Sequence, residues 1–123
     1  MSLVPDGLKY TKDHEWAKVD GGVATIGVTD HAQRELGDIV FVELPQVGGK
    51  VTAGQSFGTI EAVKTVAELY SPVTGTITEV NAALSGDAGV INQDPYGNGW
   101  IIKVKTEGSA EALMDAAAYK AII

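Results

Sequence analysis

Gly58-Thr59-Ile60-Glu61-Ala62-Val63-Lys64-Thr65-Val66-Ala67-Glu68-Leu69-Tyr70-Ser71-Pro72-Val73-Thr74-Gly75 is the stretch on which the fold turns. It reads as strand, short reversal at Val63-Lys64, strand, turn and strand, which sets Lys64 at the tip of a hairpin. Val-Lys is poor chemistry for a two-residue turn, where Asn-Gly or Asp-Gly is preferred. Outward from this hairpin the same texture continues. Further strands are expected over Glu15 to Val19 and Val23 to Val28 around Asp20-Gly21-Gly22, then over Ile39 to Leu44, Thr74 to Val80 and Trp100 to Lys105. Ser56 to Glu61 and Val66 to Tyr70 form the hairpin itself. The 15 glycines fall between these short runs, and strands so short need a sandwich or barrel to bury their apolar faces.

Two helical interruptions are expected. Thr29 and Asp30 can cap a helix near 29–36 whose Ala32 and Leu36 share one face, with Gly37 as the left-handed stop. A second is expected near 109–122, with Asp115 as a cap partway along and Leu113, Met114, Ala117, Ala118 and Ile122 as its apolar stripe.

A lysine at a hairpin tip has a flexible stem and a pKa near about 10, so it is a protonated and poor nucleophile but an accessible site for acylation. A Schiff-base or general-base lysine needs desolvation or a neighbouring cation, and the nearest charges in sequence, Glu61 and Glu68, act the other way. That separates a carrier from a catalyst. On spacing alone, however, an exposed strand lysine is ordinarily no more than a soluble edge.

The chain has 123 residues, 9 Lys+Arg against 16 Asp+Glu, a net charge of −7 and no cysteine. Its length suits one domain, 1–123. The absent thiols exclude disulfides, thiolate zinc sites and cysteine nucleophiles in the polypeptide. The acidic balance, with Arg34 the only arginine, argues against nucleic acid. No apolar run reaches transmembrane length. Met1 to Tyr10 lacks the basic and apolar regions of a signal peptide, so the cytoplasm is the expected compartment, although a trimmed mitochondrial protein would look the same. There is no phosphate-binding loop, dinucleotide fingerprint or nucleophile elbow. His14 and His31 lie in different elements without a recognisable ligand spacing, and read as surface or capping residues rather than a metal pair.

The lysine segment, together with Tyr10-Thr11-Lys12-Asp13-His14-Glu15-Trp16, Ile26-Gly27-Val28-Thr29-Asp30-His31-Ala32-Gln33, Leu36-Gly37-Asp38-Ile39-Val40-Phe41-Val42-Glu43-Leu44-Pro45 and Asp94-Pro95-Tyr96-Gly97-Asn98-Gly99-Trp100, resembles the H-protein family of the glycine cleavage system. The resemblance runs from about Leu8 to Ile123. Two small departures stand out: Glu61-Ala62-Val63-Lys64-Thr65 where the family is expected to have Glu-Ser-Val-Lys-Ala, and Ala88-Gly89 where Pro-Glu is common. The resemblance implies a mainly β fold, a lipoyl/biotinyl-type barrel-sandwich of two small antiparallel sheets, with lipoic acid carried as an amide on Lys64. It implies that the lipoyl disulfide accepts an aminomethyl group from a pyridoxal-phosphate glycine decarboxylase. A folate-dependent aminomethyltransferase then takes the one-carbon unit, and dihydrolipoyl dehydrogenase reoxidises the dithiol. A lipoylating enzyme is a fourth partner, and the free protein is expected to be a non-catalytic monomer.

Charge adds one expectation to that resemblance. The loaded arm ends in a cationic amine, which a carboxylate can hold against the protein and shield from hydrolysis. Glu15 is the first candidate, with Asp13 and Glu68 behind it, while His31 is expected to support its helix or partner docking. Four other readings stand beside this one. A biotinyl domain calls for Met on both sides of the lysine, and a 2-oxo-acid dehydrogenase lipoyl domain calls for Asp-Lys-Ala. An H-like protein relaying lipoyl groups to other acceptors fits the same residues. An unmodified β-sandwich interaction module is the rival from a different class.

Overall fold

The computed structural model describes residues 3–107 and 113–123. Among these residues nine strands and three short helices follow one another: β1 (Lys9–Tyr10), β2 (Glu15–Asp20), β3 (Val23–Val28), α1 (Asp30–Leu36), β4 (Ile39–Glu43), β5 (Lys50–Val51), β6 (Ser56–Ala62), β7 (Val66–Tyr70), β8 (Gly75–Val80), α2 (Val90–Gln93), β9 (Ile102–Thr106) and α3 (Ala116–Lys120). A 3-10 turn at Ala82–Ser85 precedes α2. The strands form two antiparallel sheets, one of six strands in the order β1-β2-β3-β9-β8-β5 and one of three in the order β4-β6-β7. The expected two-sheet β architecture is the one observed.

The seven expected strands all form, within two residues of their expected ends. The two strands not anticipated, β1 and β5, are two residues each, too short to show a period. Between the sheets lies the main core, built on Ile26, Ile60, Leu69, Ile77, Leu84, Ile91, Ile101, Ile102 and Val104. A second small cluster forms on the outer face of β1–β2 from Val4, Tyr10, Trp16, Ala116 and Tyr119. β2 therefore has apolar neighbours on both faces at its start. Ala17 points into the main core and Trp16 into the second cluster, which is why Glu15, Trp16 and Ala17 are buried in succession where a half-exposed strand would alternate. Trp16 lies across Gly27, its cross-strand partner, where a Cβ would sit 2.8 Å from the indole. Its Nε1–H donates to the Pro95 carbonyl at 3.0 Å.

The first helix starts as its sequence demands: Thr29 Oγ1 accepts from Ala32 N at 3.1 Å, and Gly37, at φ +81°, donates back to the Gln33 carbonyl at 3.0 Å. The second helix requires correction. Residues 109–112 of the expected span lie outside the described residues. Beyond them Leu113 is not helical, and Met114 exchanges two backbone hydrogen bonds of 2.8 Å with Tyr10. Asp115 then caps α3 through Ala118 N at 2.9 Å. The buried face of α3 is Ala116 and Tyr119, whereas Ala117, Ala118 and Ile122 are exposed. The cap fixes the phase of the helix, and Tyr119 takes the inward position, where its ring stacks on Tyr10 at 4.8 Å.

Candidate functional site

Lys64 is exposed at the hairpin between β6 and β7, where Glu61 pairs with Val66 and Ala62 N–H donates to the Thr65 carbonyl at 2.8 Å. Neither Val63 nor Lys64 has a positive φ, so this is not the Asn-Gly type of turn. A tertiary contact supports it: Val63 N–H donates to the Asp38 carbonyl at 2.9 Å, leaning the tip on the loop between α1 and β4. The lysine stem lies against Gly37 of that loop. A Cβ added to Gly37 would be 3.3 Å from Lys64 Cε, so the missing side chain leaves room for the stem. Asn92 of α2 braces the loop, with its Oδ1 accepting from Ile39 N at 2.9 Å and its Nδ2 donating to the Gly37 carbonyl at 2.8 Å and to Gln33 Oε1 at 3.0 Å.

Beside this loop is a cleft of about 150 Å³ between the two sheets. Its floor is apolar, from Val28, Ala32, Leu36, Ile60, Ala67 and Leu69, and its polar residues are Asp13, His14, Glu15, Glu35 and Glu68. The three carboxylates singled out in the sequence thus come together on one cleft. Leu36, which lines it, immediately precedes Gly37, so the floor leads toward the lysine stem.

Glu15 is the buried member, 2% exposed. Its Oε1 accepts from the Thr11 hydroxyl at 2.8 Å and its Oε2 from Tyr70 N at 3.2 Å. It reaches from the larger sheet to the free edge of β7 and satisfies an edge N–H there. Burial pushes its pKa up to about 8, against the opposing pull of those two donors. Asp13 and Glu68 are exposed, and Glu68 Oε2 accepts from the Tyr70 hydroxyl at 3.1 Å.

Of the cleft's polar residues, Glu35 went unnoticed in the sequence, and His14, expected as a surface or capping residue, lines the cleft instead. Glu35 carries a faint signal, preceding Leu36 on a capped amphipathic helix. His14 carries none, because its place depends on a left-handed backbone, φ +69°, in the turn between β1 and β2. The two histidines, distant in sequence, meet with ring centroids 4.7 Å apart. His31 also faces Glu35 one helical turn on, at 3.7 Å.

Two facing antiparallel sheets with an exposed lysine at the tip of one hairpin define the barrel-sandwich class of carrier domains. The family model for the glycine cleavage H-protein matches residues 8–123. The glycine cleavage system H protein of Chlorobaculum tepidum is 57% identical over 124 residues, covering 98% of this chain and 97% of the relative. That of Rubrobacter xylanophilus is 54% identical over 113 residues, covering 92% and 90%. The crystal structure of the Mycobacterium marinum glycine cleavage system H protein superposes with a TM-score of 0.87 at 41% identity, covering 96% of this chain and 97% of that one. The chain belongs to the glycine cleavage H-protein family, the non-catalytic lipoyl carriers of the glycine cleavage system.

Proposed function

We propose that this chain, acting as one carrier domain, bears lipoic acid as an amide on Lys64 and holds the loaded arm in the cleft lined by Glu15, Asp13 and Glu68. The observation that carries the reading is the meeting of those three carboxylates on one apolar-floored cleft, reached along Leu36 and Gly37 from the lysine stem. The residues fit the group. An apolar floor suits a methylene chain and a dithiolane, and an acidic wall suits a cationic terminus. When bound, the lipoyl group supplies a disulfide that takes up the aminomethyl unit and a dithiol that is later reoxidised. The chain's own part is to position and to exclude water. Glu15 meets the amine away from bulk solvent, while exposed Glu68 and Asp13 bias the rim negatively.

The partners follow from that role: glycine decarboxylase, the aminomethyltransferase, dihydrolipoyl dehydrogenase and the lipoylating enzyme. A tethered arm raises the effective concentration at each docked active site provided the partners exchange, which favours a free monomer; the compartment proposed is the cytoplasm. No described helix is long and apolar enough to cross a membrane.

The test is the intact mass of protein expressed with lipoate and a lipoylating enzyme. A lipoyl increment in the wild type that disappears in Lys64→Ala is expected, and unmodified wild type refutes the reading in favour of an interaction module. Reconstitution with the decarboxylase, scored as glycine-dependent exchange of carbon dioxide, separates glycine cleavage from lipoyl relay. For the cleft, Glu15→Gln is expected to release the aminomethyl-loaded arm's cargo faster than the wild type.

A further inference from the structure

His14 stands in the wall of the cleft, next to Glu15, yet nothing in the carrier role uses it. Its Nδ1 lies 2.8 Å from the Tyr119 hydroxyl, and that hydroxyl lies 2.7 Å from Thr29 Oγ1. Thr29 Oγ1 already accepts from Ala32 N at 3.1 Å as the cap of α1. The direction of this chain follows from counting protons. Thr29 is fully buried, and among the described residues Tyr119 offers the acceptor that its hydroxyl proton can reach. A buried hydroxyl proton left without an acceptor is costly, so Thr29 donates to Tyr119. The single proton of Tyr119 is then free to go to His14 Nδ1, which must accept it. An imidazole accepting at Nδ1 is neutral and carries its proton on Nε2. Protonating His14 would place a hydrogen on both nitrogens, reverse the Tyr119 bond and leave one of the two hydroxyl protons, that of Tyr119 or that of Thr29, without an acceptor.

We propose that the Thr29–Tyr119 hydroxyl pair holds His14 as the neutral Nε2–H tautomer, so that the wall of the cleft adds no positive charge where a cationic arm terminus docks. Tyr119 is a positioning residue that acts through His14, and α3 thereby helps to set the charge of a cleft it does not line. The inference rests on the arm-docking reading above for its purpose, though not for its hydrogen-bond geometry. Its surroundings are consistent. His14 is faced by Asp13 of its own turn, Glu15 of β2, His31 and Glu35 of α1, Glu68 of β7 across the cleft, and Tyr119 of α3. The Asp13 and Glu35 carboxylates favour an imidazolium. Burial, followed by the neighbouring His31, instead lowers the His14 pKa below the ordinary histidine value.

The experiment has two arms on the lipoylated protein. Long-range proton–nitrogen correlation of nitrogen-labelled histidine reads the tautomer directly, and release from the aminomethyl-loaded arm is timed between about pH 7.5 and about pH 5.5. Wild type is expected to show His14 protonated on Nε2 alone. Tyr119→Phe keeps the ring stacked on Tyr10 but removes the hydroxyl, so His14 is expected to lose that signature and titrate at higher pH. Thr29→Ser, which keeps the hydroxyl, is expected to retain it. At the low end of the range an added positive charge near the amine speeds release from Tyr119→Phe by about tenfold relative to wild type. Making the same comparison in a Glu15→Gln background removes Glu15 titration from the difference. A wild-type His14 protonated on Nδ1, or a signature unchanged in Tyr119→Phe, overturns the inference. Faster release from Glu15→Gln together with superimposable profiles for Tyr119→Phe and wild type overturns it alone. Equal release from Glu15→Gln and wild type marks failure of the docking reading instead.

Discussion

Glu15→Gln should gain stability relative to wild type as the pH rises, with a size set by burial. In the folded chain burial holds the Glu15 carboxyl protonated up to about pH 8, whereas its ordinary value is 4.5. Between these two values the folded chain keeps a proton that the unfolded chain has released. A carboxyl raised in this way contributes stability fully present below 4.5 and lost as pH rises toward 8. The slope is about 1.4 kcal/mol per pH unit for one proton. From pH 5 to pH 7.5 wild type should therefore lose about 3 kcal/mol that Glu15→Gln, with no proton to give, keeps. Gln retains an oxygen for the Thr11 hydroxyl or Tyr70 N, and any fixed penalty for fitting its amide cancels when the two pH values are compared. Urea unfolding of both proteins at both pH values gives the four free energies needed. A stability difference between variant and wild type that is the same at pH 5 and pH 7.5 would refute the reasoning, because it would mean that Glu15 ionises in the fold as it does in the open chain.

Three further outcomes follow from the same contacts. Asn92→Ala strands the Ile39 N–H and the Gly37 carbonyl and should cost about 2–3 kcal/mol, with hydrogen exchange of the Ile39 amide rising before that of the β8–β9 core; unchanged protection at Ile39 would rule out the brace. Gly58→Ala sets a methyl group against the Glu43 carbonyl oxygen of the neighbouring strand, prising β4 from β6, and should lower the urea midpoint by the equivalent of about 2 kcal/mol or more; an unchanged midpoint would show that the sheet yields freely there. Asp115→Ala removes the cap of α3 and should cost about 1 kcal/mol, seen as faster exchange at the Tyr119 amide, with Asp115→Asn largely restoring it.

The frame of the molecule is legible in the sequence because it is written in local chemistry. Thr29, Ala32, Leu36 and Gly37 specify a helix by cap, face and stop, and the β-branched runs on either side of Val63-Lys64 specify a hairpin by length and content. β1 and β5 are invisible because pairing, not propensity, makes a two-residue strand. The phase of α3 is missed because alanine favours no face, and the choice falls to a ring that stacks on Tyr10 from the far end of the chain. The site divides in the same way. Lys64 can be singled out by its motif, and Glu15 by its charge within an otherwise apolar strand start. The burial of Glu15 against Tyr70 N, 55 residues away, and the meeting of His14 with His31 and Tyr119 are products of tertiary packing that no local pattern encodes.

On the arm docking proposed above, one buried acid among exposed ones has a physical purpose. A rim of solvated carboxylates such as Asp13 and Glu68 draws a cation but gives little grip, since water screens each of them. A carboxyl sealed in the fold cannot remain ionised cheaply while nothing occupies the cleft, and near neutral pH it answers by holding a proton. A cationic group arriving beside it removes the reason for that proton, so the carboxyl ionises as the partner docks and a charge-assisted hydrogen bond forms in a water-poor setting, where it is strong. The acid thus acquires its charge when there is something to hold. The same logic requires the other ionisable groups around the cleft not to supply a competing positive charge, a condition that the neutral His14 proposed above would meet.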